Sequence, residues 1–135
     1  MKKTTLSLRR VHTFLLLIVI NGFSFSAYAS ELNISVQALQ EKQLSGEGIL
    51  VLDVRSAEEF NDGHVPGAVH IQHTETDKIY HLLSSNKDKQ LVVYCRSGRR
   101  AGLVLDAMKE KGVTGLYHLD GDMQGWTDAG LPIEK

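Results

Sequence analysis

The chain has 135 residues, 42% hydrophobic and 23% charged, which is too apolar for a disordered segment and too short for two ordinary domains. With 12 Gly, 2 Pro and no internal repeat it is neither collagen-like nor a solenoid. The formal net charge is −1 and becomes −5 without residues 1–29, which hold four of the 15 Lys and Arg and none of the 16 Asp and Glu; an acidic chain lacking a long basic run argues against nucleic acid or an anionic membrane as its main partner.

The first 29 residues read as a leader. Lys2, Lys3, Arg9 and Arg10 form a basic start, Phe14 to Ile20 an apolar run, and Ala27-Tyr28-Ala29 a small-x-small cleavage signature, the pattern of a secretory signal peptide cut after Ala29. A retained membrane anchor is the competing reading, but the run stops after seven residues at Asn21 and Gly22, and spanning a bilayer takes about 20. The Arg9-Arg10 pair stands in a poor context for twin-arginine export, which favours general secretion. The expectation is a single domain over 30–135, in the periplasm or an equivalent exported space, without stable membrane insertion after cleavage.

Beyond the leader, Val36 and Leu39 open a helical spacing. Ile49 to Leu52 is short, continuous and rich in β-formers, the signature of a strand covered on both faces, and Ala68 to Ile71 is a weaker candidate of the same kind. Thr74-x-x-Asp77 resembles a capping signal ahead of a helix carrying Ile79, Leu82 and Leu83. Leu91 to Tyr94 is the second strong strand; Ala101, Val104, Leu105 and Met108 share one face of a helix stopped at Gly112; Leu116 to Leu119 is a last, weaker strand. Strands alternating with helices predict an α/β domain with a central, mainly parallel sheet, whose ligands bind beyond the carboxyl ends of the strands.

Cys95, the chain's one cysteine, falls at such a strand end, directly after Tyr94 and ahead of the helix near Ala101. A lone cysteine in an exported chain has no intrachain disulfide partner and is either inert and buried or reactive. Its neighbours decide for reactivity. In Cys95-Arg96-Ser97-Gly98-Arg99-Arg100 the glycine turns the chain into a helix start, where backbone N–H groups and the positive end of the helix dipole favour an anion, a thiolate included. Arg96, Arg99 and Arg100 add fixed positive charge suited to an oxyanion. Asp53 and Arg55 lie at the end of a predicted strand and are expected to support the loop, by pairing or by orienting it. His64, beside Pro66 and Gly67, reads as a turn residue. His70-x-x-His73 bridges a strand end and a turn with no Cys nearby and is not taken as a metal site. Trp126 reads as core or pocket wall, and Asp120 and Asp122 as members of a solvated loop.

The run Cys95-Arg96-x-Gly98-x-Arg100 resembles the active-site loop of the rhodanese sulfurtransferases. Two more segments match in order: Leu52-Asp53-Val54-Arg55 with Glu59-Phe60 and Gly63-His64-Val65-Pro66-Gly67-Ala68, and then Gly121 to Trp126, so that the resemblance spans about residues 49–126. It departs at Gly121-Asp122, where the family commonly has two glycines, in a segment taken as structural. The resemblance implies a rhodanese-like domain with a five-stranded parallel sheet flanked by helices. It implies a cofactor-free reaction in which Cys95 takes a sulfane sulfur from thiosulfate or a similar anion and passes it to cyanide or a thiol. The amides from Arg96 to Arg100, Ser97 and Gly98 included, form the cradle, and Arg96 and Arg99, with Arg100 as a third candidate, hold the donor; Arg100, at the helix entrance, is also expected to brace the cradle at a cost in stability when removed. Two alternatives stay open: a phosphatase or arsenate reductase of related fold, whose loop carries one residue more than the six from Cys95 to Arg100, and a binding or sensing module without turnover.

Overall fold

The computed structural model describes residues 32–135; the predicted leader lies outside them. Among the described residues, strands and helices alternate as β1 (Leu32–Ile34), α1 (Val36–Ser45), β2 (Ile49–Asp53), α2 (Ala57–Asp62), β3 (Val69–His70), α3 (Thr76–Ser84), β4 (Gln90–Tyr94), α4 (Arg99–Glu110), β5 (Leu116–Leu119) and α5 (Asp122–Asp128). The strands form one sheet in the order β1-β5-β4-β2-β3, every neighbouring pair parallel. The expected α/β architecture with a five-stranded parallel sheet is therefore present.

The pleat of β4 sorts the core into two layers. Leu91, Val93 and Cys95 pack with Ile79 and Leu83 of α3 and with Ala101, Val104 and Met108 of α4. Val92 and Tyr94 point the other way, onto Val36 and Leu39 of α1 and Met123 and Trp126 of α5. Alternation of side chains along a strand thus dictates that the residue following Tyr94 lands on the α4 face, under the first turn of that helix.

Helix α1 starts at Ser35, whose side chain accepts the Ala38 N–H, and ends at Gly46 in the left-handed conformation. The predicted helix over Ile79 to Leu83 is present as α3, but Thr74 does not cap it: the cap position is Glu75, without a side-chain cap bond. The Glu75 carboxylate instead reaches back to the Gln72 N–H and closes the preceding turn. The weaker strand at 68–71 is reduced to Val69–His70, because only Leu52 and Asp53 of β2 lie opposite it. Three elements, β1, α2 and α5, have no counterpart among the sequence-predicted ones. Strand β1 is three residues long and pairs only with β5. Helix α2 has no buried residue, so it carries no apolar periodicity to read; its signal is the capping box Ser56-x-x-Glu59, in which each residue bonds the other's backbone.

Candidate active site

The carboxyl ends of β2 and β4 carry the site. Cys95 is 1% exposed, and its Sγ accepts the N–H of Gly98 at 3.1 Å. Gly98 sits at φ +101, where an L side chain is strained, and a Cβ there would lie 3.2 Å from Asp122 Oδ2 and 3.4 Å from His118 Cε1. The backbone angle favours glycine, and the tight approach of Asp122 adds to that preference. Glycine also leaves α4 without a side-chain cap, so the first-turn amides at Arg99, Arg100 and Ala101, which have no carbonyl four residues back within the helix, remain the loop's donors for an anion.

The loop arginines divide. Arg96 is exposed and lines a cleft of about 540 Å³ bounded also by Arg55, Glu59 and Asp62 on one side and by Gln124 and Asp128 of α5 on the other. Ser97 and Arg99 are exposed at the turn into α4. Arg100 turns inward: its Nη1 and Nη2 donate to the two carboxylate oxygens of Glu59 at 2.7 and 2.9 Å. Sequence reasoning placed Arg100 both among candidates for the donor anion and as a brace of the cradle, and gave Glu59 no role; the structure pairs the two between α2 and α4. The hydrogen bonds from Arg100 hold the Glu59 carboxyl down at about 2, the Ser56 bonds adding to the effect. The bond to Glu59 raises Arg100, and the nearby Cys95 sulfur acts in the same sense.

A depressed carboxyl stabilises the fold above its unfolded value of about 4.5 and loses that contribution as pH falls through about 2. Arg100→Ala is therefore expected to cost about 1 kcal/mol near neutrality, a modest figure because both side chains are partly exposed. In urea unfolding series at several pH values, the gap between the variant and the parent should close on acidification from about 4.5 towards 2. A gap that stays constant would assign the loss to packing and not to this pair.

Asp53 and Arg55 do pair. Asp53, 0% exposed, accepts from the Arg55 backbone N–H, from Nε and from Nη2, the last at 2.7 Å, and takes the Tyr94 hydroxyl at 2.6 Å. Arg55 Nη2 also donates to the Gly63 carbonyl, while the Tyr94 hydroxyl oxygen accepts the Val65 N–H. This buried knot ties β2, β4 and the 63–65 turn together beneath the cleft. Burial and the Asp53 charge push the Tyr94 phenol well above its ordinary value, which keeps it a donor. His64 stacks on Phe60 with ring centroids 3.7 Å apart, and its Nδ1 lies 2.9 Å from the Phe60 carbonyl. His70 Nε2 lies 2.9 Å from the Arg55 carbonyl. Trp126 is core, its indole N–H bonded to the Pro132 carbonyl.

The Gly121-Asp122 segment corrects the sequence expectation. Asp120 is exposed, but Asp122 is not in a solvated loop: it opens α5, is 3% exposed, and its Oδ1 accepts the Cys95 N–H at 2.7 Å. His118 Nε2 lies 3.2 and 3.1 Å from its two oxygens. The position 27 residues downstream of Cys95 is brought beside it because β5 is the parallel neighbour of β4, so the loops after both strands open at the same edge of the sheet.

A model of the rhodanese-like domain family matches residues 35–129. The chain is 35% identical over 94 residues to YrkF of Bacillus subtilis, covering 70% of this chain and 50% of that protein. It is 31% identical over 88 residues to the thiosulfate sulfurtransferase GlpE of Pseudomonas savastanoi, covering 64% and 80%. The chain thus spans about half the length of the first of these relatives. Among solved structures, a rhodanese-related protein from Thermoplasma volcanium superposes with a TM-score of 0.66 at 24% identity, over 76% of this chain and 97% of that one, a likeness of fold. A family match running from the start of α1 to the end of α5, over the same sheet order that sets a cysteine loop at the carboxyl end of β4, places the chain in the rhodanese-like domain family.

Proposed function

We propose that this protein is a sulfurtransferase that moves a sulfane sulfur from thiosulfate or a similar anion to a thiol or cyanide through a persulfide on Cys95. The observation that carries it is the thiol at the end of a central strand, its Sγ on the Gly98 N–H at the start of α4. In the first half-reaction the Cys95 thiolate attacks the outer sulfur of thiosulfate; a new S–S bond forms, the old one breaks, and its electron pair leaves on sulfite. In the second, the acceptor attacks the outer sulfur and the Cys95 thiolate leaves, the two-step economy of covalent catalysis. Gly98 and the first-turn amides of α4 stabilise the anion at both stages. The thiosulfate sulfurtransferase named among its relatives supports this choice of donor. The phosphate-cradling alternative draws nothing from the geometry, since Arg100 is engaged by Glu59.

Arg96, exposed at the cleft, is the residue of choice for meeting the donor anion. Arg96→Ala should raise the apparent thiosulfate KM about threefold or more with a smaller change in kcat, and the effect should shrink in high salt. A fall in kcat at unchanged KM would remove Arg96 from donor binding. The proposed place of action is an exported space, on the strength of the basic start, the apolar run and the Ala27-Tyr28-Ala29 signature. One measurement tests both readings: intact mass of protein recovered from its producing cell, before and after thiosulfate. The expected species begins at Ser30 and gains one sulfur atom on Cys95. A chain retaining Phe14 to Ile20 would overturn the export reading, and no added sulfur would overturn the transfer reading.

A further inference from the structure

Asp122 is the one residue other than glycine with a left-handed backbone among the described residues, at φ +54. That conformation is unfavourable for most side-chain-bearing residues and tolerated by aspartate, and here the aspartate side chain makes a contact that a glycine in the same conformation could not. The side chain is buried and aimed at the reactive loop. Oδ1 takes the Cys95 N–H at 2.7 Å, a group that would otherwise be an orphaned donor in the core. The next two amides of the same helix complete a clamp: Met123 N–H donates to the Cys95 carbonyl at 3.0 Å and Gln124 N–H to the Arg96 carbonyl at 3.1 Å. His118 Nε2 lies within 3.2 Å of both Asp122 oxygens and so faces the carboxylate from β5.

We propose that Asp122 is a positioning residue for sulfur transfer: by accepting the Cys95 N–H it fixes the backbone of the nucleophile's own residue and so holds Sγ against the Gly98 amide. The inference rests on the reading of Cys95 as sulfur carrier. The two glycine-like features of the site, the turn at Gly98 and the left-handed Asp122, then act as one unit, since Asp122 Oδ2 lies 3.2 Å from where a Gly98 Cβ would be.

Two substitutions separate the backbone from the side chain. Asp122→Gly keeps the left-handed conformation without strain and removes the acceptor; Asp122→Asn keeps an acceptor oxygen of the same reach and a residue type tolerant of that conformation. Two quantities are read on each folded variant: hydrogen exchange of the Cys95 amide relative to that of Val92 in the preceding strand β4, and the rate of sulfur loading from thiosulfate by intact mass. Asp122→Gly should speed the relative exchange about tenfold or more and slow loading by a similar factor. Asp122→Asn should restore both to within about threefold of the parent. Loading at the parental rate by Asp122→Gly, or an Asp122→Asn protein as impaired as the glycine variant, would overturn the proposal. If the parent itself takes up no sulfur, the transfer reading fails, while the exchange comparison still decides whether Asp122 holds the Cys95 backbone.

Discussion

Cys95→Ser is expected to lower thiocyanate formation from thiosulfate and cyanide by about 10³-fold or more while leaving the protein folded. A hydroxyl oxygen cannot carry a sulfane sulfur and is a weak nucleophile at neutral pH, so both half-reactions are lost together. The fold should tolerate the change. Cys95 packs between Val93 and the first turn of α4, serine occupies nearly the same volume, and its Oγ accepts the Gly98 N–H that Sγ now takes. Burying a hydroxyl in place of a thiol should cost about 1 kcal/mol, visible as a small shift of the urea midpoint. Appreciable turnover by a folded Cys95→Ser protein would remove Cys95 from the mechanism.

The largest loss of stability is expected at Asp53. Asp53→Ala leaves the Arg55 guanidinium, 5% exposed, without its counter-ion and strips the Tyr94 hydroxyl of its acceptor. Breaking a buried pair from one side costs about 3–5 kcal/mol, because the remaining charge keeps its desolvation penalty and loses its compensation. Equilibrium urea unfolding measures it. Tyr94→Phe provides a milder companion that folds more readily: it removes one donor from the carboxylate and leaves the Val65 N–H without its acceptor, for about 1–3 kcal/mol. An Asp53→Ala protein within about 1 kcal/mol of the parent would show that the knot is not what secures β2 to β4 and the 63–65 turn. Because Arg55 and Gly63 also line the cleft, the same substitution should disturb the site from beneath.

What could be read from the chain alone were features carried by local chemistry. Ile49 to Leu52 and Leu91 to Tyr94 announce strands because both of their faces are covered, which makes them continuously apolar. Ala101, Val104 and Met108 mark α4 because one helical face meets the sheet. Cys95 and Gly98 are legible because a thiol, a turn and a helix start are contiguous in sequence, and the Asp53–Arg55 pair because its members lie two residues apart. The leader proposed over 1–29 rests on sequence alone, since those residues stand outside the described ones.

Only the tertiary structure assigned partners to residues far apart in the chain. Glu59 and Arg100 are 41 residues apart, and Tyr94 and Asp53 likewise; neither contact leaves a periodic trace, because each depends on which strands are neighbours in the sheet. Strand β1 has too few residues for a period to show, and α2 none that is buried, so both exist by virtue of what they pack against or cap. Asp122 shows the difference most sharply. Preceded by Asp120 and Gly121 it has the local character of a solvated turn, yet the parallel pairing of β5 with β4 carries it to the reactive loop, where burial turns a surface-type residue into the acceptor of the Cys95 amide.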